Sequence, residues 1–349
     1  MQMEREYLER LVWILEAIQS LEGSPTDSAE SRAALRKLRS LAGAAPAGLK
    51  KMRPSIDWDA LCAIDKGGKA PGDRFLGRVL PEAKTTILDE FNLDSGKLVH
   101  AGRTDASFAA IFDTSLSGRA VRCLYMDGVL SSAEHADGSP ALLYPPVVMR
   151  SFEMLGDPRR GLVIGVAGGT MVGILRRAFL KMHVDAVDVD RGAVALGKKY
   201  FSLKGNGRTS IHIADGREFV QAAKAKYGII VIDAFCGISP VPGMATVEFV
   251  SEAKAALDSG GVCAINIIAK VERGGYLQYA YCTWRSVFRN VFLIPLCSEG
   301  GVFNVVLIAT DADSKGFESQ NADAIYRMDF DKSKVFTDKD NRIRELSPY

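Results

Sequence analysis

The chain has 349 residues, 47% of them hydrophobic and 25% charged, with a formal net charge of +2. That length holds one large α/β domain with an appendage, or two modest domains, and the composition is that of an ordinary soluble globular protein. The near-neutral balance gives no support for a nucleic-acid-binding surface, and no apolar run reaches membrane-spanning length.

Residues 4–22 place Leu8, Leu11, Val12, Leu15, Ile18 and Leu21 at helical spacing, and Gly23-Ser24-Pro25 ends that helix. Ser28 or Ser31 caps a second helix running to about Leu41. Residues 42–80, rich in Ala, Gly, Pro and Lys, read as a connector. This helical pair either covers the core of the domain behind it or docks a protein partner. From Lys97 to Met126 the period shortens to three strands, 98–101, 108–112 and 120–126, separated by turns. The edges of such a sheet are covered within one chain or, as the resemblance given below implies, pair a homodimer. A loop from Ser131 to Pro140 and a helix from Pro145 to Leu155 lead to Asp157-Pro158.

Strands and helices then alternate: β 161–166, α 170–181, β 184–189, α 191–201, β 209–213, α 216–224, β 228–233, α 246–257 and β 261–267. Alternation of this kind calls for a parallel sheet with helices on both faces. A helix near 274–289 precedes two strands, 291–296 and 302–309, joined by Gly300-Gly301 as an antiparallel hairpin at the sheet edge. The expected fold class is α/β: a doubly wound, mostly parallel Rossmann-like sheet ending in an antiparallel hairpin, after a small β-sheet and an N-terminal helical segment. The expected division is 1–80 helical extension and connector, 81–130 small antiparallel β region, 131–315 main domain and 316–349 C-terminal tail.

Polar groups gather at the ends of four successive strands. The first breaks into Gly165-Val166-Ala167-Gly168-Gly169-Thr170. Glycines there let a ligand approach the backbone while the next helix supplies amide donors, although a tight strand-to-helix turn needs the same residues. Ala167 and Thr170 break the dinucleotide fingerprint, and no Walker A loop follows, so a ligand without a pyrophosphate fits better. The second strand ends in Asp188-Val189-Asp190. Asp188 is read as the acceptor of ribose hydroxyls, and Asp190 as a helix cap or the ligand edge. Asp215-Gly216 brings a carboxylate either to an adenine amino group or to a helix cap. Asp233, at the end of the central strand, is placed either at the reacting atom of a substrate or among nearby amides as a loop carboxylate.

The six cysteines, 62, 123, 236, 263, 282 and 297, show no metal-ligand spacing and read as free thiols of a reducing compartment, with Cys263 and Cys297 in the core. The four histidines are equally dispersed, so no metal is expected. The acidic start, Met1 to Glu6, is unlike a secretory signal or a transit peptide. This points to an intracellular protein, cytoplasmic or in an organelle matrix.

The chain resembles the spermidine synthase superfamily of class I S-adenosylmethionine-dependent transferases over roughly Leu124 to Ala309. The resemblance is carried by Leu124–Val129, the Gly165–Thr170 turn, Val187–Asp190, Ala214–Phe219 and Ile232–Gly237, followed by Pro240-Val241-Pro242 and Thr246–Phe249. The glycine turn and the acids are also similar to the C-terminal domain of eukaryotic elongation-factor-1-alpha lysine and N-terminal methyltransferases. The resemblance implies S-adenosylmethionine as cofactor, held by Gly165, Ala167, Gly168, Gly169, Asp188, Asp190, Asp215 and Gly216, with Asp233 catalytic. Two departures argue against spermidine synthesis. Cys236 stands where aminopropyltransferases carry a second aspartate, and the gate segment near Leu143-Tyr144-Pro145-Pro146 lacks its glutamate. Cys236 is read as a pocket-lining or packing residue, and His135 as a surface-loop residue or part of the acceptor channel.

Two functions follow. One is a methyltransferase-like protein whose acceptor is a protein amine or a small amine. The alternative is a catalytically inactive methyltransferase-fold subunit serving as a scaffold in a larger assembly.

Overall fold

The computed structural model describes residues 97–346, apart from positions 117, 128, 206, 237, 238, 299 and 341. The two expected N-terminal helices and their connector lie outside the described residues. Two compact units are present, one ending at Asp137 and one from Gly138 onward.

In the first, β1 (Lys97–Arg103), β2 (Phe108–Leu116), β3 (Arg119–Met126) and β4 (Val129–His135) form an antiparallel meander in that order. Strand β4 corrects the loop expected from Ser131. Its sequence, Val-Leu-Ser-Ser-Ala-Glu-His, lacks apolar alternation, yet Ser132, Ala133, Glu134 and His135 are all buried. His135 is therefore no surface-loop residue: its Nδ1 lies 3.1 Å from the Ala120 carbonyl of the neighbouring strand.

The second unit opens with α1 (Tyr144–Met149), started by Pro145 and Pro146, where a missing N–H costs nothing. It tightens into a 3-10 turn over Arg150–Met154 instead of continuing as one helix. The alternating elements follow: β5 (Arg160–Ile164), α2 (Thr170–Ala178), β6 (His183–Asp188), α3 (Arg191–Tyr200), β7 (Thr209–Ile213), α4 (Gly216–Ala222) and β8 (Tyr227–Ile232). Two short paired strands, β9 (Phe235–Cys236) and β10 (Ser239–Pro240), precede α5 (Val247–Ala256), β11 (Leu257–Lys270) and α6 (Tyr276–Val287). The hairpin of β12 (Asn290–Pro295) and β13 (Val302–Thr310), then α7 (Lys315–Gln320) and α8 (Ile343–Leu346), complete it.

The seven-stranded sheet has the order β12-β13-β11-β8-β5-β6-β7. Pairing is parallel from β11 through β7, and β13 runs antiparallel to both of its neighbours. Strand residues alternate between two cores. Leu162, Ile230, Ile265 and Leu307 pack on one face with Phe249 and Val250 of α5 and Leu277 and Trp284 of α6. Val163, Val231, Ala264 and Ile308 pack on the other with Val148 of α1, Leu175 of α2, Val194 of α3 and Phe317 of α7. The residues beyond β13 join this architecture, since Ile325, Met328, Phe336 and Ile343 are buried in it. Cys263 lies in the core as expected, whereas Cys297 is only partly buried in the turn after β12. Among the described residues no helix is long and apolar enough to cross a membrane.

Toward the amino ends of the strands, Asp185 is buried and accepts from Arg160 (2.6 Å), His212 (3.0 Å) and Tyr227 (3.2 Å). Burial pushes its carboxyl up, but these hydrogen bonds and the Arg160 charge outweigh that and hold it below the ordinary aspartate value. A depressed folded value contributes stability above the unfolded one and loses it as pH falls through the folded one. Urea unfolding of Asp185→Asn is expected to show a loss of about 1–2 kcal/mol near neutrality. The same variant is expected to show a flatter acid slope than the parent chain.

Candidate functional site

The site occupies the carboxyl ends of β5, β6, β7 and β8, all within the second unit. The Gly165–Thr170 turn holds two left-handed glycines, Gly165 (φ 84°) and Gly169 (φ 89°), with Ala167 between them also left-handed (φ 44°). An alanine costs roughly 1–2 kcal/mol in that conformation, so something must hold it. Asp188 does: its Oδ2 accepts from the amides of Val166 (2.8 Å) and Ala167 (3.2 Å), and its Oδ1 from that of Asp190 (2.9 Å). An ionised carboxylate has about four lone-pair positions, so three amides leave room for one further donor. The close fit of α3 adds support, because a Cβ on Gly197 would lie 2.6 Å from the Ala167 carbonyl oxygen.

Asp190 is buried and caps α3 through the Ala193 amide (2.9 Å). Asp215 caps α4, with Oδ1 accepting from the amides of Arg217 (2.8 Å) and Glu218 (3.0 Å). It stands exposed at the strand end, with Gly216 behind it packed so closely that a Cβ would lie 2.4 Å from Ile164. Between the two acidic positions, Val189 is 65% exposed and Ile213 is 38% exposed. Asp188 and Ile213 are partners across β6 and β7, so these two apolar residues border the same strand ends.

Asp233 lies just past β8, and its backbone abuts the glycine turn: a Cβ on Gly165 would be 2.2 Å from the Asp233 carbonyl oxygen. Its carboxylate is partly buried, with Oδ2 accepting from the Tyr144 hydroxyl (2.6 Å) and Oδ1 from Asn266 Nδ2 (2.9 Å). Asn266 Oδ1 in turn accepts from Asn304 Nδ2 (2.8 Å). Burial raises the Asp233 carboxyl above its ordinary value, opposed by the two donated hydrogen bonds. Burial, and then the Asp233 charge, hold the Tyr144 phenol well above its own, so it stays a proton donor.

Asp188, Asp215 and Asp233 therefore come to neighbouring strand ends, Asp190 is turned into the helix cap, Gly168, Gly169 and Gly216 are buried, and His135 lies in the first unit. No role for Asn266, Asn304, Val189 or Ile213 follows from the sequence pattern, and Tyr144 enters it only within the gate segment that lacks its glutamate. Asn266 carries a signal, as the one amide in the apolar run Val262–Ile268. Tyr144 carries none for its contact with Asp233, since 89 residues separate the two.

The open lone pair on Asp188, the exposed Asp215 and the bare apolar pair between them fit a nucleoside with a flat base. The missing side chain at Gly165 lets the Asp233 backbone pack directly against the turn. Residues 147–310 match the spermine/spermidine synthase domain model. A polyamine aminopropyltransferase of Vibrio vulnificus (strain CMCP6) is 24% identical over 250 residues, covering 69% of this chain and 81% of that protein. Putrescine N-methyltransferase 2 of Nicotiana tabacum is 28% identical over 235 residues, covering 61% of this chain and 64% of that protein. Among solved structures, a probable spermidine synthase from Corynebacterium glutamicum ATCC 13032 superposes with a TM-score of 0.53 at 18% identity, covering 67% of this chain and 97% of that one.

Proposed function

We propose that this chain, whose fold is that of the spermidine synthase-like class I methyltransferases, binds S-adenosylmethionine and methylates an amine, and is not a spermidine synthase. The observation that carries the reading is Asp233: a carboxylate past the end of β8, beside the glycine turn, aimed by the neutral donors Tyr144 and Asn266. Cys236 stands where a second acid would hold a polyamine cation.

In this reading Asp188 receives one ribose hydroxyl through its remaining lone pair, and Asp215 receives the adenine amino group. Val189 and Ile213 flank the ring, while Gly165 and Ala167, the partly exposed positions of the turn, bound the site; Gly168, Gly169 and Gly216 pack inside the protein and shape it from behind, and Asp190 serves only as a cap. The bound sulfonium supplies an already activated methyl group. Asp233 accepts a hydrogen bond from the incoming amine, turns its lone pair toward the donor and takes the proton released as the nitrogen–carbon bond forms. Relatives named for polyamines and putrescine support a small amine as acceptor.

Calorimetric titration of the purified chain with S-adenosylmethionine, S-adenosylhomocysteine and decarboxylated S-adenosylmethionine tests the assignment. Micromolar binding of the first two is expected, weakened about 10-fold in Asp188→Asn, which replaces an acceptor oxygen by a donor. Preference for the decarboxylated compound would transfer the reading to aminopropyl transfer. Binding of none by the folded protein would leave the scaffold reading.

A further inference from the structure

The segment beyond α7 has little regular structure, yet it is fastened along its length. Phe336 is buried and stacks on Tyr276 (5.9 Å between ring centroids) and Tyr279 (5.2 Å). Its carbonyl accepts from the Val247 amide (2.9 Å), and its amide donates to Thr283 Oγ1 (2.9 Å). Two residues later Asp338 forms the densest knot. Its Oδ1 accepts from Arg217 Nη1 (2.8 Å) and Thr246 Oγ1 (2.7 Å), its Oδ2 accepts from Arg217 Nη2 (2.8 Å), and its amide donates to Glu248 Oε2 (3.0 Å). The Arg217 guanidinium also binds Glu252 twice (2.8 and 2.9 Å) and the Gly243 carbonyl oxygen (3.1 Å).

One end of this knot reaches the candidate site, and the other reaches the chain just ahead of α5. The Arg217 amide is one of the two that Asp215 caps, so the guanidinium fixes the first turn of α4 and with it the Asp215 carboxylate. Gly243 and Thr246 belong to the stretch 234–246, which begins beside Asp233 and ends at the α5 cap, where Thr246 Oγ1 accepts from the Phe249 amide. Met244 closes the circuit, since its Cε would lie 2.7 Å from a Cβ on Gly216. One carboxylate on the C-terminal segment thus ties the start of α4 to the far end of the stretch that leaves Asp233.

We propose that Asp338 is a positioning residue: it touches no ligand, but through Arg217 and Thr246 it holds the Asp215 side of the site and the chain from Gly243 to the α5 cap in one arrangement. The inference rests on the reading of Asp215 and Asp233 given under the proposed function. The Asp338 side chain is 41% exposed. An ion pair that open adds little to global stability, so its removal separates positioning from folding. Bidentate geometry, in contrast, makes it a precise orienting contact.

The test uses the full chain carrying Asp338→Ala and, separately, Asp338→Asn, with Asp329→Ala as control. Asp329 pairs with Arg273 on the same segment but is far more exposed, and the pair contacts neither Arg217 nor Thr246. Two readouts are taken: S-adenosylhomocysteine affinity, and amide hydrogen exchange over residues 216–219 and 234–246. Asp338→Ala is expected to weaken S-adenosylhomocysteine about 10-fold and to speed exchange at both stretches. Asp338→Asn is expected to fall between it and the parent, and Asp329→Ala to leave both readouts unchanged. Parent-like affinity together with parent-like exchange in Asp338→Ala overturns the inference, whatever happens to the melting temperature. If the parent binds no S-adenosylhomocysteine, the cofactor reading fails by itself, and exchange at the two stretches still decides whether Asp338 ties them together.

Discussion

Asp233→Asn is expected to lower amine methylation by about 10²- to 10⁴-fold while S-adenosylhomocysteine affinity stays within a small factor of the parent. The substitution keeps the volume and removes the charge. Tyr144 can still donate to the amide oxygen, but the new Nδ2 then faces Asn266 Nδ2, donor against donor. Asn266 can rotate to accept only by breaking its bond with Asn304. The variant therefore exchanges one mismatched amide for relief from burying a carboxylate, and its melting temperature is expected to move little. The pH dependence follows from the same geometry. A carboxyl raised by burial ionises above its ordinary value, so activity is gained as pH rises through that raised value. Stability runs the opposite way over the same window, because the folded chain binds the proton more tightly than the unfolded one. Tyr144→Phe removes a hydrogen bond that favours the ionised form, and its acid limb in a pH–rate profile is expected at higher pH than the parent's. An acid limb that does not move would remove Tyr144 from the aiming of Asp233.

The second large effect is expected at Gly165. Its φ of 84° penalises any side chain, and a Cβ there would lie 2.2 Å from the Asp233 carbonyl oxygen and 2.6 Å from the carbonyl carbon. These are backbone atoms at the end of a central strand and have no rotamer through which to escape. Left-handed strain of about 1–2 kcal/mol adds to about 1–3 kcal/mol of overpacking, so Gly165→Ala is expected to lose about 2–5 kcal/mol. For a domain of this size that is a fall in melting temperature of roughly 10 °C. Gly274→Ala supplies the comparison, since Gly274 has φ 86° but a Cβ there would meet nothing within 4 Å. It should show the conformational penalty alone. Because the clash pushes Asp233 away from the turn, S-adenosylhomocysteine binding should also fail in Gly165→Ala. Retained affinity with a parent-like melt would mean that the turn is looser than its packing indicates.

The doubly wound sheet was legible because β5, β8 and β11 carry short apolar runs and three of the helices begin at a recognisable cap. Asp190, Asp215 and Thr246 are such caps, and each accepts a hydrogen bond from the first turn of its helix. That Asp188, Asp215 and Asp233 come to neighbouring strand ends was legible too, since strand ends in this topology converge. The partners of Asp233 were not, because Tyr144, Asn266 and Asn304 come from three distant elements and meet only through sheet order. Strand β4 was hidden by its serines and its glutamate, and β11 extends on both sides of its expected bounds through Gly260-Gly261 and as far as Lys270. The C-terminal segment was illegible because its anchors, Ile325, Met328, Phe336 and Ile343, follow neither a helical nor a strand period.

The place of β13 between β11 and β12 constrains the order in which the sheet can be completed. Strand β12 precedes β13 in the chain but has no partner until β13 arrives, and β11 has an open edge from Val262 to Lys270 until the same moment. A chain emerging residue by residue thus carries a long, largely apolar edge of Val, Cys, Ala and Ile, with its backbone donors and acceptors unpaired. Closure waits for the last strand of the sheet, and the fastening of Asp338 comes later still. The chain from β13 onward therefore covers an apolar strand edge that stays open until it arrives.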